Sequence, residues 1–198
     1  MNIPPLCIIQ ARLNSTRLPR KMLLEIDGET LIARALRLAN EVFYAQHVIV
    51  AIPIGDADSE LAEELNRLNA NTYVHDGPEW DVLARYWQCA TAHRWHPEAI
   101  IHRWTPDDPF KTPLAVWKVL NGERCPVELG GEAFTLQMLT RAHQRTSPDD
   151  EAMREHLGTH PMLFPAPAPP APAGCWTIDT QTDLDAARLG LRNRITVA

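Results

Sequence analysis

Twelve consecutive residues near the amino end, Gln10-Ala11-Arg12-Leu13-Asn14-Ser15-Thr16-Arg17-Leu18-Pro19-Arg20-Lys21, carry four cations. Arg12, Arg17, Arg20 and Lys21 create a local positive field, while Asn14, Ser15 and Thr16 add turn-forming and hydroxyl groups beside exposed backbone N–H donors. Arginine grips phosphate oxygens in a planar fork and lysine acts as a point charge, so the two together suit a polyphosphate better than a single carboxylate. A solvated basic turn is the plain alternative. A second group, Thr105-Pro106-Asp107-Asp108-Pro109, is an acidic turn that follows an apolar run. A carboxylate in such a turn can hold Mg²⁺, which takes one or two protein carboxylates and completes its shell with phosphate oxygens and water; alternatively Asp107 only shapes the turn.

The elements that must position these groups are read from hydrophobic period. Leu6 to Ala11 is a short buried-strand pattern, Thr30 opens a helix with apolar residues at 31, 32, 35, 36, 38 and 39, and Val48 to Ile52 is a second buried strand. Asp58 and Ser59 can cap a helix through about Leu68, Thr72 to His75 is a short strand, and Trp80 to Trp95 has helical spacing. Ala99 to Trp104 forms a further strand that runs into the acidic turn, and Pro113 to Leu120 a helix with proline in its first turn. Beyond Gly122 the pattern predicts a strand near Val127, a helix from about Ala133 to His143 and a short helix between Asp149 and Leu157. The proline–alanine tract 164–174 reads as an extended surface connector within one domain spanning 1–198, followed by a strand over Cys175 to Ile178 and a closing helix over Thr182 to Arg192, with Leu184, Ala187, Leu189 and Leu191 available to pack. Strands alternating with helices imply an α/β fold with a mostly parallel sheet whose ligand crevice lies beyond the carboxyl ends of the strands.

The chain has 198 residues, 45 % of them hydrophobic, enough for one α/β domain with a substantial core. Nineteen Lys and Arg against 25 Asp and Glu give a formal charge of −6, which argues against a general binder of nucleic acid or anionic membrane, so an anion site must be local. Cys7, Cys89, Cys125 and Cys175 form no CxxC pair and support neither a zinc cluster nor a disulfide framework. The start, MNIPPLCIIQAR, lacks the pattern of a signal peptide, and no apolar run approaches the ~20 residues of a membrane span, so a soluble cytoplasmic protein is expected.

The run QARLNSTRLPRK followed by LLEIDGETLIARAL resembles the opening of the sugar cytidylyltransferases, the family of CMP-KDO synthetase, acylneuraminate cytidylyltransferase and spore-coat polysaccharide enzymes. Their loop reads Ala-Arg-x-Gly-Ser-x-Arg-Leu/Phe-Pro-Gly-Lys, and Ala11, Arg12, Ser15, Arg17, Leu18, Pro19 and Lys21 match it, with Asn14 and Arg20 in place of its glycines. Asp81-Val82-Leu83-Ala84-Arg85-Tyr86 is similar to Asp-Val-Leu-x-Arg-Tyr, a segment near the nucleotide in that family, although an i,i+4 pair such as Asp81 and Arg85 is as often a surface salt bridge. Arg103-Trp104-Thr105-Pro106-Asp107-Asp108-Pro109 resembles Arg-x-Thr-Gly-Asp-Cys-Pro, which aligns Asp107 with a metal-binding aspartate; Asp108, not acidic in the family, is a second ligand, a helix cap or a solvated side chain. Thr177-Ile178-Asp179-Thr180-Gln181-Thr182-Asp183-Leu184 resembles Thr-Val-Asp-Thr-x-x-Asp-Leu and carries over Asp179 as the second metal carboxylate, while Asp183 suits the positive end of a helix. Glu132 and His156 match pieces that shape the sugar side, and the aspartate that usually precedes that glutamate by two positions falls at Gly130. A helix-borne histidine is more often packed or solvated. Trp80, Trp87 and Trp95 are read as core or subunit packing.

The resemblance implies a Rossmann-like three-layer nucleotidyltransferase of the glycosyltransferase-A type that is Mg²⁺-dependent. It would transfer CMP from CTP to an acidic sugar or a sugar or polyol phosphate in surface polysaccharide or glycoconjugate precursor synthesis. Arg12, Lys21 and Asp107 are then the expected catalytic residues, and Ala11, Arg12, Asn14, Ser15, Arg17, Lys21, Asp81, Arg85 and Arg103 the nucleotide-binding ones. Glu132 and His156 would bind the acceptor and Asp107 with Asp179 the metal, and the resemblance allows a homodimer. Two rivals stand beside this. One is a metal-dependent glycosyltransferase using Asp107-Asp108 or Asp56-Ala57-Asp58; the other is a non-catalytic nucleotide binder, suggested by the changes at Arg20, Pro106 and Gly130.

Overall fold

The computed structural model describes residues 3–56 and 59–190 with their side chains and the backbone of 191–195. The ends of the expected domain, the cap expected at Asp58 and the packing expected of Leu191 lie outside these. Five strands form the main sheet: β1 (Leu6–Gln10), β4 (Val48–Pro53), β5 (Thr72–His75), β6 (Ile100–Trp104) and β7 (Glu132–Thr135). Their order is β5-β4-β1-β6-β7, with β7 antiparallel to β6 and every other pair parallel. A small antiparallel hairpin, β2 (Glu25–Ile26) and β3 (Glu29–Thr30), stands apart from it.

Successive side chains of a strand point to opposite faces, and β1 is apolar on both. Cys7 and Ile9 join a core with Leu36, Val50, Ile52 and Trp104, under α1 (Leu31–Asn40) and α2 (Glu60–Arg67). Leu6 and Ile8 join the other core with Tyr86, Phe134 and Leu139, under α3 (Val82–Ala92) and α6 (Leu136–Arg145). The sandwich of helix layer, sheet and helix layer is the α/β architecture read from the sequence. A third, smaller core of Leu18, Ile26, Leu31, Phe110, Ile178 and Leu184 ties the basic loop, the hairpin and the final helix α8 (Gln181–Ile195) together.

The chain runs outward from β1 to β4 and β5, then returns to place β6 on the other side of β1. Such a reversal opens a crevice at the carboxyl ends of the two central strands, because their outgoing loops diverge there. The basic loop leaves β1 at this point and the acidic turn leaves β6.

Several expected boundaries are corrected. The segment Cys175–Ile178 pairs with no strand; it is held by side chains and by the Ile178 N–H donating to Asp107 O at 2.8 Å. Val127 begins a one-turn helix, α5 (Val127–Gly130), after α4 (Pro113–Leu120), and the strand of this region is β7. The helix expected from Ala133 therefore starts only at Leu136, capped by the Thr135 hydroxyl. The helix expected between 149 and 157 stops at Glu155 (α7, Glu151–Glu155) and gives way to a 3₁₀ turn over Leu157–Thr159. Trp80 and Trp95 lie outside α3, and Trp87 stacks on His143 at 4.2 Å. The tract 164–174 has neither helix nor strand and is largely exposed, consistent with fixed proline φ and missing N–H donors.

Candidate active site

The loop after β1 is shaped before any ligand arrives. Asp56, buried, accepts from the Leu13 N–H at 2.8 Å, and the Arg20 N–H donates back to Leu13 O at 3.2 Å. Burial pushes the Asp56 carboxyl above the usual range, opposed by that Leu13 hydrogen bond. Arg20 takes a left-handed conformation, φ 57° and ψ 25°, at the start of the 3₁₀ turn Lys21–Leu23. Asn14 does not: the positive φ sits only at the second of the two positions where the resembling family has glycine.

A cavity of about 520 Å³ lies over the carboxyl ends of β1 and β6. Ala11, Arg12, Ser15, Arg17, Lys21, Arg85, Arg103, Asp107, His156 and Asp179, all singled out from the sequence, line it. Lys21 Nζ donates to Asp107 Oδ2 at 2.7 Å, Ile178 O at 3.0 Å and Asp179 Oδ1 at 3.3 Å, so one ammonium touches both carboxylates of the expected metal pair. Arg17 donates to the other oxygen of Asp179 at 2.9 Å. Arg12 faces Glu79 at 3.4 Å and Glu155 at 3.8 Å. Asp183 accepts from the backbone N–H groups of Asp179 and Thr180 and from the Thr180 hydroxyl, which lowers its pKa and fixes the corner that carries Asp179. It is the helix-start residue anticipated.

Two arginines form the back wall. Arg85 donates through Nη2 to Glu79 O, and burial lowers its pKa. Arg103 pairs with Glu132; burial opposes its charge, but Glu132, Tyr86 and Asp108 together leave the guanidinium pKa raised. The Nε atoms of both are buried without a protein hydrogen-bond partner among the described residues.

Three expected positions are corrected. Asp81 is not on the cavity wall: buried, it caps α3 by accepting from the Ala84 N–H at 2.9 Å and takes two bonds from Arg154 at 2.7 and 2.9 Å. Asn14 is on the outer side of the loop, over an open groove with Arg20 and Glu60, and donates to Glu79 at 3.1 Å. Glu132 lies behind Arg103 and borders a separate 210 Å³ cavity under the proline–alanine tract, with Phe164 and Cys125. Asp108 is none of the three things considered for it: it is a buried partner of Lys111. Of Asp56-Ala57-Asp58, Asp56 is committed to the loop, and residues 57–58 lie outside the described residues.

Sequence reasoning missed Gln10, Thr105, Glu155 and Gly158 on the cavity wall, and the Asp81–Arg154 and Asp108–Lys111 pairs behind it. Gln10 and Thr105 could have been found, since each bounds a strand end facing the crevice; the buried pairs join residues whose proximity no local pattern encodes.

A mostly parallel sheet with cations and carboxylates gathered at its topological switch point defines an α/β protein with the crevice at which such folds place a ligand. Residues 6–164 match the cytidylyltransferase family, and the chain belongs to that family. It is 27 % identical over 79 % of its length to an uncharacterized protein of Methanocaldococcus jannaschii, covering 68 % of that protein. Over 44 residues, 22 % of this chain, it is 57 % identical to the 3-deoxy-manno-octulosonate cytidylyltransferase of Chlorobium chlorochromatii, a match spanning 18 % of that relative. Among solved structures, a cytidylyltransferase of Leptospira borgpetersenii superposes with a TM-score of 0.77 at 20 % identity, over 94 % of this chain and 86 % of that one. A CMP:2-keto-3-deoxy-manno-octonic acid synthetase complexed with CTP superposes with a TM-score of 0.69 at 16 % identity, over 96 % and 99 %. These likenesses show the fold. No helix among the described residues is long and apolar enough to cross a membrane.

Proposed function

We propose that this chain transfers CMP from CTP to an oxygen of an acidic sugar or a sugar or polyol phosphate and releases pyrophosphate. The observation that carries the reading is the convergence of Arg12, Arg17, Lys21, Arg85 and Arg103, from three separate stretches of chain, on one cavity that Asp107 and Asp179 also line. A triphosphate carries charge along its length, and a wall of several cations suits it better than it suits a monoanion. The choice of CTP is supported by family membership and by the synthetase of the same fold that was solved with CTP.

Magnesium fits the donor set. Among the described residues no three or more His, Cys, Asp or Glu side chains gather around a common point, whereas Asp107 and Asp179 meet at one ammonium. Two carboxylates suit a hard ion that keeps the rest of its shell for phosphate and water. Bound there, it would neutralise phosphate oxygens and polarise the reacting phosphorus. The acceptor oxygen bonds to the α-phosphorus while the bond from that phosphorus to the bridging β-phosphate oxygen breaks; the electron pair leaves with pyrophosphate, and a hydroxyl acceptor gives up its proton to water. Arg12, Arg17 and Lys21 hold the departing phosphates as their charge grows, and Asp56, through the Leu13 N–H, fixes the backbone of the loop that carries them. His156 and Glu155, at the cavity rim, are the side chains available to acceptor hydroxyls.

A thermal-shift panel of CTP, UTP, ATP and GTP with and without Mg²⁺ tests the reading, because a ligand that binds only the folded state raises its stability by mass action. CTP with Mg²⁺ is expected to raise the midpoint most; equal shifts from all four nucleotides would remove the cytidine assignment. Pyrophosphate release with an acceptor panel completes the test, and CTP binding without any release would favour the non-catalytic reading. Sugar transfer without pyrophosphate would favour the glycosyltransferase, which the burial of Asp108 and Asp56 already disfavours.

A further inference from the structure

Asp107 and Asp179 come from segments far apart in sequence, and the second of them, Cys175–Asp179, has no strand partner to hold it. Lys21 donates to Ile178 O and the Asp179 carboxylate, Arg17 to that same carboxylate, and the Asp179 N–H and Trp176 Nε1 donate to Asp183; a further set of contacts runs to the turn that carries Asp107. The Thr177 hydroxyl donates to Asp108 Oδ1 at 2.6 Å, the Ile178 N–H donates to Asp107 O at 2.8 Å, and the Trp176 ring lies against Phe110 at 4.9 Å. Asp108 is buried, and its other oxygen accepts from Lys111 Nζ and from the Thr105 hydroxyl. Lys111, also buried, donates in addition to Val127 O at 3.1 Å and lies 5.9 Å from the Trp104 ring. One charged pair thus ties together the end of β6, the acidic turn, α5 and the segment before α8.

A buried ion pair is poor evidence of stability, because apolar replacements of similar volume often do as well or better. Its geometry is the informative part. Lys111 and Thr105 orient one oxygen of Asp108, which leaves the other aimed at Thr177, two residues before Asp179.

We propose that Asp108, Lys111 and Thr177 are positioning residues that set Asp179 against Asp107 and so hold the carboxylate pair at the spacing a divalent ion shared with a nucleotide requires. The inference rests on the nucleotide–metal reading of the cavity, while the clamp itself is a property of the free protein.

Two measurements on the full chain separate those levels. In Thr177→Val, which removes only the hydroxyl from the shape, amide hydrogen exchange at Ile178 is expected to accelerate about tenfold while Ile8 and Ile9 in β1 keep wild-type rates, and Thr177→Ser restores the slow rate. Titration with Mn²⁺ in the presence of CTP and no acceptor, followed by electron paramagnetic resonance, is expected to show about tenfold weaker binding to Thr177→Val than to wild type, again restored by serine. Should the valine variant not fold, Thr177→Ala takes its place, since it leaves room for water on Asp108. Unchanged Ile178 exchange, or changed exchange with wild-type Mn²⁺ affinity, overturns the positioning role. Faster Ile178 exchange combined with a wild-type protein that binds no Mn²⁺ with CTP supports the clamp and removes the nucleotide–metal reading instead.

Discussion

Arg20 holds a backbone conformation that costs a residue with a Cβ roughly 1–2 kcal/mol, and it does so where the resembling family places glycine. The loop keeps its turn because Leu13 is pinned from both sides, by Asp56 and by the Arg20 N–H. Neither bond involves the Arg20 side chain, which reaches outward to Glu60. The glycine-to-arginine change is therefore compatible with the cavity. At the same scale, Lys21 is the hub: it contacts both carboxylates and the backbone carbonyl between them. Lys21→Ala and Asp107→Ala are each expected to lower CMP transfer by about 100-fold, the usual order for removing a charge contact made to a developing anion. Far-UV circular dichroism is expected to stay unchanged, and near-normal turnover in both variants would strip them of these roles.

The stretch from α4 to β7 shows why a missing family residue need not be a vacancy. Gly130 closes α5, and a Cβ there would lie 2.8 Å from Val119 Cγ2 and 3.0 Å from Ala115 O. Its carbonyl also accepts from His102 Nε2 at 2.7 Å. This arm between β6 and β7 packs α5 against α4 where a longer side chain would need to stand, so Gly130→Asp cannot simply restore the family's carboxylate. That variant is expected to lose about 2 kcal/mol or more in urea denaturation, on the scale of core overpacking with a buried charge, and to gain no activity. A wild-type midpoint with raised activity would show that the arm can accommodate the family arrangement after all.

Across the whole molecule, His102 links the sheet to this arm. Burial pushes its pKa down to about 3, the bond to Gly130 O only partly opposing that. An unfolded imidazole titrates near 6.5, so between those values the unfolded chain holds one more proton than the folded one. The sign follows: stability is complete above about pH 6.5 and is lost as pH falls toward 3. Between pH 7 and 5 Asp108, whose pKa burial raises but Lys111 and its hydrogen bonds lower further, stays ionised and adds nothing to the change. The urea midpoint of the wild type is expected to fall over this window more steeply than that of His102→Gln; parallel curves would mean that His102 is protonated in the fold or that other groups dominate.

The alternation of apolar strands and amphipathic helices, the basic loop after the first strand and the acidic turn after the central one were all legible in the order of residues. Each is a local property, set by side-chain period, cap chemistry and the φ limits of proline. Asp81 was misplaced because capping a helix and facing a ligand use the same side chain in the same sequence context, and only Arg154, brought in from α7, decides between them. Cys175–Ile178 reads as a strand because it is apolar, yet it joins no sheet and the Ile178 N–H bonds instead to Asp107 O in the acidic turn. Sequence alone therefore determined the layers, the crevice and most of the residues that line it. Which charges are spent on one another, as Asp108 on Lys111 and Glu132 on Arg103, and which remain free for a ligand, was decided by tertiary packing, since desolvation and pairing depend on neighbours that lie far away along the chain.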